Sequence, residues 1–168
     1  IIPDPLLSEN FRSCRWVGEQ PFWYRCHFSL DQLGLSPAPE EKIQLRFQSI
    51  DTYSEISLNG HSLGTTANQF RQHRFDIGDH LDREGSNELI VRIDPVKETF
   101  RKWFERTKPD ATGVVSLFDD DRVWIRKSQM TFGWDNCPYL VAGGITMPVL
   151  LEVVGPTQLE TPQWSIPE

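Results

Sequence analysis

The sequence is poor in residues that build metal, redox and nucleotide sites. Its three cysteines, Cys14, Cys26 and Cys137, are an odd number without paired spacing, which argues against a disulfide framework and a zinc site. We predict three reduced, mostly buried thiols, with one disulfide plus one free thiol as the alternative. The four histidines lack metal-ligand spacing, and neither a G-x-S-x-G motif nor a phosphate-binding glycine loop occurs. We therefore predict no metal and no cofactor.

The sequence also lacks the features of a membrane or nucleic-acid protein. No apolar run approaches the roughly 20 residues of a membrane span, and the net charge of -7 disfavours nucleic acid and anionic lipid as partners. The 168 residues, 38% hydrophobic and 24% charged, are typical of one globular domain with a full core. Because the chain begins with Ile1 rather than Met, we expect an excised or processed piece, whose compartment is unknown.

What is present is a series of short strand-like segments separated by loops. In residues 43–48 every second residue is apolar, the pattern of an antiparallel strand with one buried face. Asn59 and Gly60 lie in the middle of residues 55–64 and predict a hairpin, since both residue types accept the positive φ angles of a type I′ turn. Further strands are predicted over residues 22–30, with Tyr24, Cys26, Phe28 and Leu30 on one face, and over residues 72–77 and 88–93.

One segment, residues 95–108, breaks the strand rhythm. Val96, Phe100, Trp103 and Phe104 recur at helical spacing after Pro95, which predicts an amphipathic helix covering one open end of the sheets. The fold class predicted is all-β, an antiparallel jelly-roll β-sandwich with one inserted helix. We predict a domain over residues 1–157, in which residues 1–21 form an N-terminal arm with at best a short edge strand over 13–17. Residues 158–168 are predicted to be a linker toward a following domain not present in this chain.

Two polar segments invite a functional interpretation. Residues 132–138 (FGWDNCP) should form an irregular loop, since Gly133 and Pro138 interrupt regular structure. A Trp followed by an Asp suits a sugar site, because indole stacks on C–H groups and carboxylate accepts hydrogen bonds from hydroxyls. On spacing alone, Trp134 in the core and Asp135 capping a turn is the favoured interpretation. For residues 119–121, three adjacent aspartates, a solvated loop is favoured over a calcium site.

Four groups of segments, spread along the chain, resemble one known family. Those with turn residues are weakly specific, whereas the order and spacing of the fourth group have no general structural necessity. Together they resemble the sugar-binding domain of glycoside hydrolase family 2, in its β-mannosidase-like branch. The groups are residues 2–5 (IPDP), 15–19 (RWVGE) and 22–25 (FWYR); 47–53 (FQSIDTY) and 58–60 (LNG); Gly64, Asn68, Phe70, 74–77 (RFDI), Gly85, Asn87, Leu89 and Val91; and 126–129 (RKSQ), 132–135 (FGWD), Pro138, Gly144, Ile145, Pro148 and Val149.

The resemblance implies a galactose-binding-domain-like sandwich within a retaining exo-β-glycosidase. Family members usually add an immunoglobulin-like domain and a (β/α)₈ barrel that carries two catalytic glutamates. A barrel cannot fit in 168 residues beside this domain. We therefore expect no catalytic residue in this chain, and we expect the fragment to be inactive alone. The partners implied are the terminal sugar of a β-glycoside and the catalytic barrel of the same parent chain.

The resemblance also implies a role for the F-G-W-D segment, which helps form the terminal-sugar subsite at the mouth of the barrel. Asp135 would hydrogen-bond sugar hydroxyls and Trp134 would wall the pocket, so the family context reverses the preference stated above. Asn136 stands where the family pattern has a second Trp, and it would offer hydrogen bonds to hydroxyls instead. Arg126 and Gln129 match the flank of the motif, and orienting the loop is their favoured role.

The departures from the family pattern leave the sugar open. After Asp135 the family continues with Trp, Gly, Pro and Arg, whereas this chain has Asn136, Cys137, Pro138 and Tyr139. A mannoside is the first interpretation, and a galactoside, glucuronide or glucosaminide is an alternative. Two further alternatives for the function are an autonomous carbohydrate-binding module and a purely structural domain of a multidomain hydrolase.

Overall fold

Short antiparallel strands are the main regular structure in the part of the chain that this computed structural model describes, residues 2–114, 120–155 and 157. Eleven strands lie within those ranges, and two short ones, β8 and β9, pair only with each other. The strands are β1 (Phe22–Phe28), β2 (Lys42–Phe47), β3 (Ile50–Asp51), β4 (Tyr53–Leu58), β5 (His61–Ala67), β6 (His73–Asp76), β7 (Asn87–Ile93), β8 (Phe132–Trp134), β9 (Cys137–Tyr139), β10 (Gly144–Ile145) and β11 (Val149–Val154).

Two sheets of these strands form an antiparallel β-sandwich. The larger sheet has the order β1-β7-β4-β5, and the smaller one has the order β11-β2-β6. A two-stranded ribbon of β10 and β3 adjoins them, and β8 pairs with β9. Every strand pairing among the described residues is antiparallel. The predicted all-β jelly-roll sandwich is confirmed.

The main core lies between the two sheets. Along β7 buried residues alternate with half-buried ones, and Ile43, Leu45 and Phe47 of β2 are at most 3% exposed. Side chains of a strand alternate between faces, so each sheet turns one apolar face toward the other. The predicted hairpin between β4 and β5 is confirmed, since Asn59 has φ 51° and Gly60 has φ 81°.

The strand β1 is an edge strand, and this overturns one prediction. Tyr24, Cys26 and Phe28 share a face as predicted, but that face borders an open groove of about 610 Å³ between β1 and β11. Cys26 is exposed and Cys137 half-buried, so only Cys14 of the three free thiols is buried. The expectation of mostly buried thiols was wrong because the position of a strand within its sheet decides how far both faces are covered.

The predicted edge strand over residues 13–17 is also wrong. The helix α1 (Asn10–Ser13) is followed by a 3₁₀ helix over Arg15–Glu19. Local hydrogen bonds hold them, from the Cys14 N–H to Asn10 O at 3.0 Å and from the Val17 N–H to Cys14 O at 3.0 Å. Residues 158–168 and Asp119 lie outside the described residues. Within the described part of the chain, no helix has the length and apolar content to cross a membrane.

The predicted helix is α2 (Val96–Thr107), and it creates a second core. Pro95 precedes its first turn, and Lys108 ends it with φ 44° and an N–H that donates to Phe104 O. Buried Val96 and Phe100 pack with residues of the segment that carries β8 and β9, rather than only over the end of the sheets. The second core comprises Val96, Phe100, Ile125, Phe132 and Val141.

Candidate functional site

The predicted irregular loop is in fact a tight β-hairpin, which we call the site hairpin (residues 132–139). Phe132 pairs with Tyr139 and Trp134 with Cys137 across β8 and β9. Gly133 lies within β8 and has φ +88°. Glycine adopts this conformation without the steric cost that a side chain would bring. The loop prediction failed because Gly133 and Pro138 are tolerated in short edge strands, where a proline loses no ladder bond.

The tip of the site hairpin consists of two residues, Asp135 and Asn136. Both are exposed, and the turn places them between β8 and β9. Among residues 2–114, 120–155 and 157, no hydrogen bond or ion pair engages the side chain of either one. A carboxylate accepts hydrogen bonds and an amide both donates and accepts them, so the tip presents groups that suit hydroxyl ligands.

Trp134 is 43% exposed, so the interpretation of this residue as core is wrong. The guanidinium carbon of Arg122 lies 5.6 Å from the centroid of the Trp134 ring, within cation–π range. Sequence reasoning missed Arg122, because twelve residues separate it from Trp134 and no periodic pattern links them. A 3₁₀ turn over Asp120–Val123 brings it beside the hairpin.

The two residues predicted to orient the loop, Gln129 and Arg126, make different kinds of contact. The Gln129 side-chain amide donates to Arg122 O at 2.9 Å and to Lys127 O at 3.2 Å, which ties the Arg122 turn to the hairpin stem. The Arg126 side chain is exposed, and its contribution comes from its backbone. It forms a parallel bridge with Asn68, and its carbonyl accepts the Gln69 N–H at 2.9 Å.

Lys127, which sequence reasoning passed over, is buried beside the site hairpin. Its ammonium donates hydrogen bonds to the Asp51 carboxylate and to Ala142 O, the latter at 2.6 Å. Burial lowers the pKa of Lys127, and the charge and hydrogen bond of Asp51 act in the opposite direction. No local signal in the sequence could have identified the pair, since 76 residues separate the two partners.

In the acidic segment, residues 119–121, Asp121 forms ion pairs with the helix α2. Asp121 accepts from Lys97 at 3.2 Å and from Arg101 at 3.1 Å, both on α2. Among the residues with a described placement, no group of three or more potential ligands could hold a metal ion. A cleft of about 670 Å³ between α2 and the Arg15–Glu19 helix reaches Tyr139, and its lining mixes both charges without including Asp135.

Comparison with known proteins identifies the family. The model of the family described as "Glycosyl hydrolase 2 galactose-binding domain-like" matches residues 1–147. The chain belongs to this family. The F-G-W-D segment that forms β8 and half of the hairpin turn therefore lies inside the matched domain.

Several relatives with similar sequences are named β-mannosidases. Beta-mannosidase B of Emericella nidulans is 35% identical over 152 residues, which are 90% of this chain and 17% of that protein. Beta-mannosidase B of Thermothelomyces thermophilus is 32% identical over 154 residues, 91% of this chain and 17% of that protein. The crystal structure of a β-D-mannosidase from Dictyoglomus thermophilum superimposes with a TM-score of 0.77 at 36% identity, covering 90% of this chain and 18% of that one.

The chain thus spans about 17% of the length of these curated relatives. The family match over residues 1–147 includes β1 to β10, α2 and the site hairpin, and it establishes the glycosidase family of the domain. The sugar, the reaction and the role of each hairpin residue belong to the proposal that follows.

Proposed function

We propose that this chain is a non-catalytic domain of a retaining β-glycosidase of the β-mannosidase-like branch. Its site hairpin would complete the terminal-sugar subsite of a catalytic barrel that lies elsewhere in the parent polypeptide. In this proposal Asp135 and Asn136 hydrogen-bond sugar hydroxyls, and the exposed face of Trp134 forms a wall of the pocket. The chain itself supplies no acid, base or nucleophile to the reaction.

The observation that carries the proposal is the exposed tip on an anchored hairpin. The Asp135 carboxylate is exposed and has no side-chain partner among the described residues, so its oxygens are available to accept hydrogen bonds from an external ligand. The base of the hairpin is fixed by the second core, where Phe132 is 1% exposed. A mobile tip would lose affinity to the entropy of ordering, whereas an anchored one loses little.

The tip offers hydrogen-bonding groups that suit sugar hydroxyls. The Arg122 guanidinium lies over the Trp134 ring, which leaves the Asp135 carboxylate as an acceptor at the end of the hairpin. Charge-assisted hydrogen bonds from hydroxyls to a carboxylate are stronger than neutral ones. A mannoside is the substrate class that we propose first, on the similarity to β-mannosidases. Because Asn136 replaces the second Trp of the family motif, a galactoside, glucuronide or glucosaminide is tested alongside it.

The accessory role makes a specific prediction for the isolated chain. An accessory domain holds only part of a pocket, and small ligands bind where most of their surface is enclosed. We therefore expect titration calorimetry with mannose, galactose, glucuronic acid and glucosamine to detect no binding tighter than millimolar. We also expect no turnover of aryl β-glycosides.

The outcomes separate the hypotheses. Millimolar or tighter binding that is lost in Trp134→Ala would favour an autonomous carbohydrate-binding module. Turnover of any aryl β-glycoside by the isolated chain would overturn the accessory role. The hypothesis of a purely structural domain also predicts no sugar binding in calorimetry. Substitution of Asp135 in the parent enzyme distinguishes it from the accessory role, as described in the Discussion.

A further inference from the structure

Lys127 is a buried charged residue that makes no contact with sugar in the proposed function. Its side chain is 0% exposed, and that of its partner Asp51 is 7% exposed. Asp51 also accepts a hydrogen bond from the Thr52 hydroxyl. Lysine is almost never fully buried unless it is paired, because removing its charge from water is costly. A buried lysine at this position therefore indicates a structural or functional demand for its contacts.

The contacts of Lys127 join three parts of the molecule. Lys127 lies on the chain entering the site hairpin, five residues before Phe132. Ala142, whose carbonyl it binds at 2.6 Å, lies on the chain leaving the hairpin, three residues after Tyr139. Asp51 belongs to β3, which is anchored to the sandwich. One ammonium group thus holds both stems of the hairpin against the same strand.

Close backbone packing fixes the stem that leaves the hairpin on the same strand. A Cβ added at Gly143 would lie 2.4 Å from Asp51 O, which means that the two backbones are in contact there. Gly144 pairs with Asp51 in the β10–β3 ribbon. A Cβ at Gly18 would lie 2.1 Å from Val141 O, so the stem is closely packed at this second point as well. The Ala142 carbonyl is therefore presented to Lys127 by a chain with little room to move.

The stem that enters the hairpin is held by weaker, neutral contacts. The Ser128 N–H donates to the Gln69 side chain at 2.7 Å, and the Gln69 N–H donates to Arg126 O at 2.9 Å. Asn68 and Gln69 lie in a loop after β5 rather than in a sheet centre. Among the described contacts of this stem, the ion pair between Lys127 and Asp51 is the buried, charged one, and it connects the stem to β3.

We propose that Lys127 is a positioning residue, which fixes the direction of the site hairpin by joining Asp51 and the Ala142 carbonyl. What the hairpin tip then does rests on the proposed function, whereas what Lys127 holds in place does not. Removal of the ammonium frees the entering stem from Asp51 and from the Ala142 carbonyl, while the leaving stem stays packed on β3. The tip residues Asp135 and Asn136 then sample a wider range of directions while the sandwich stays folded.

The test uses amide hydrogen exchange in this chain, because exchange reports position without any sugar. The informative amide is that of Leu140, which donates to Thr131 O at 2.9 Å at the base of the hairpin. In Lys127→Met we expect it to exchange at least about tenfold faster, while amides of β2 and β7 change by less than about threefold. The matched control is Arg46→Met, which removes the 2.6 Å ion pair with Glu152 in the smaller sheet and should leave Leu140 unchanged.

A second variant separates positioning from general stabilisation. Lys127→Met alone leaves Asp51 buried without its cation, so some of its effect is a loss of global stability. Asp51→Asn combined with Lys127→Met leaves no unpaired charge, and we expect its thermal midpoint to recover toward that of the wild type. The fast exchange of Leu140 should persist, because no group replaces the bond to Ala142 O.

The proposal is wrong if Leu140 exchanges at the wild-type rate in Lys127→Met, or if its protection returns in the double variant together with the thermal midpoint. It is equally wrong if exchange accelerates throughout β2 and β7 to the same degree. Kinetics of the parent glycosidase keep the two ideas apart. If the hairpin loosens in Lys127→Met but Asp135→Ala retains full activity, the proposed function fails and the positioning role stands. If the hairpin stays rigid in Lys127→Met but Asp135→Ala loses activity, the positioning role fails and the proposed function stands.

Discussion

Substituting Gly143 by Ala tests how tightly the stem leaving the site hairpin packs on β3. The new Cβ would lie 2.4 Å from Asp51 O and 3.2 Å from the Ile93 Cγ2 atom. Carbon and carbonyl oxygen approach to about 3.3 Å in close packing, so the two backbones must separate by about 0.9 Å. The nearer obstacle is the Asp51 backbone, which cannot rotate away, and the second is the buried Ile93 side chain in the core.

The expected cost follows from these distances. Overpacking of a rigid site costs about 1–3 kcal/mol, and this contact belongs at the upper end. Alanine restricts the unfolded chain more than glycine does, and this stabilises the folded state by about 0.4–1 kcal/mol. The net loss is about 2 kcal/mol, which for a chain of 168 residues lowers Tm by about 4–8 °C.

Gly144→Ala is the matched control, one residue further along the chain. Its added Cβ would meet the Tyr24 hydroxyl oxygen at 3.4 Å, an ordinary contact, and its φ is not positive. We expect Tm to stay the same or to rise slightly. Differential scanning calorimetry of both variants decides the matter, and a Gly143→Ala midpoint within about 2 °C of that of Gly144→Ala would refute the reasoning.

Two further predictions concern the second core. Phe100 is 2% exposed against Phe132 and its neighbours, so Phe100→Ala should lower the unfolding free energy by about 3–5 kcal/mol in urea titrations, and a loss below about 1 kcal/mol would contradict this packing. Burial raises the pKa of Tyr53 above its ordinary value of 10.0, so the unfolded phenol ionises first. The stability from this group is present below about pH 10 and is lost as pH rises through the folded pKa. Tyr53→Phe should flatten the fall of the urea midpoint between about pH 9 and 11, and an unchanged slope would argue against it.

The sandwich could be predicted because its signals are local. Residues 43–48 alternate with a period of two, and Asn59-Gly60 accept the positive φ angles of their turn whatever surrounds them. The helix α2 was predictable since Val96 and Phe100 recur at helical spacing on one side. The family motif selected residues 132–135 as a candidate site, but the segment was predicted as an irregular loop and its hairpin form was missed.

Predictions failed where the answer depends on distant parts of the chain. Cys26 alternates correctly but is exposed, because only the sheet order makes β1 an edge strand. No local pattern indicates the role of Gly143, because its close approach to the distant residue Asp51 is what requires a glycine there. Lys127 carries a charge that normally indicates the surface, and its burial is explained only by a partner 76 residues away.

The claim at the centre of this account is that Asp135 contacts sugar in a parent glycosidase, and one kinetic comparison tests it. We expect Asp135→Ala to lower kcat/KM for the preferred aryl β-glycoside by on the order of 10²-fold. This corresponds to roughly 3 kcal/mol of charge-assisted hydrogen bonding in the transition state, which an alanine side chain cannot supply. Asp31→Ala, at an exposed aspartate in the loop after β1, should leave kcat/KM unchanged. An Asp135→Ala effect below about threefold on mannosides, galactosides, glucuronides and glucosaminides alike would contradict the account.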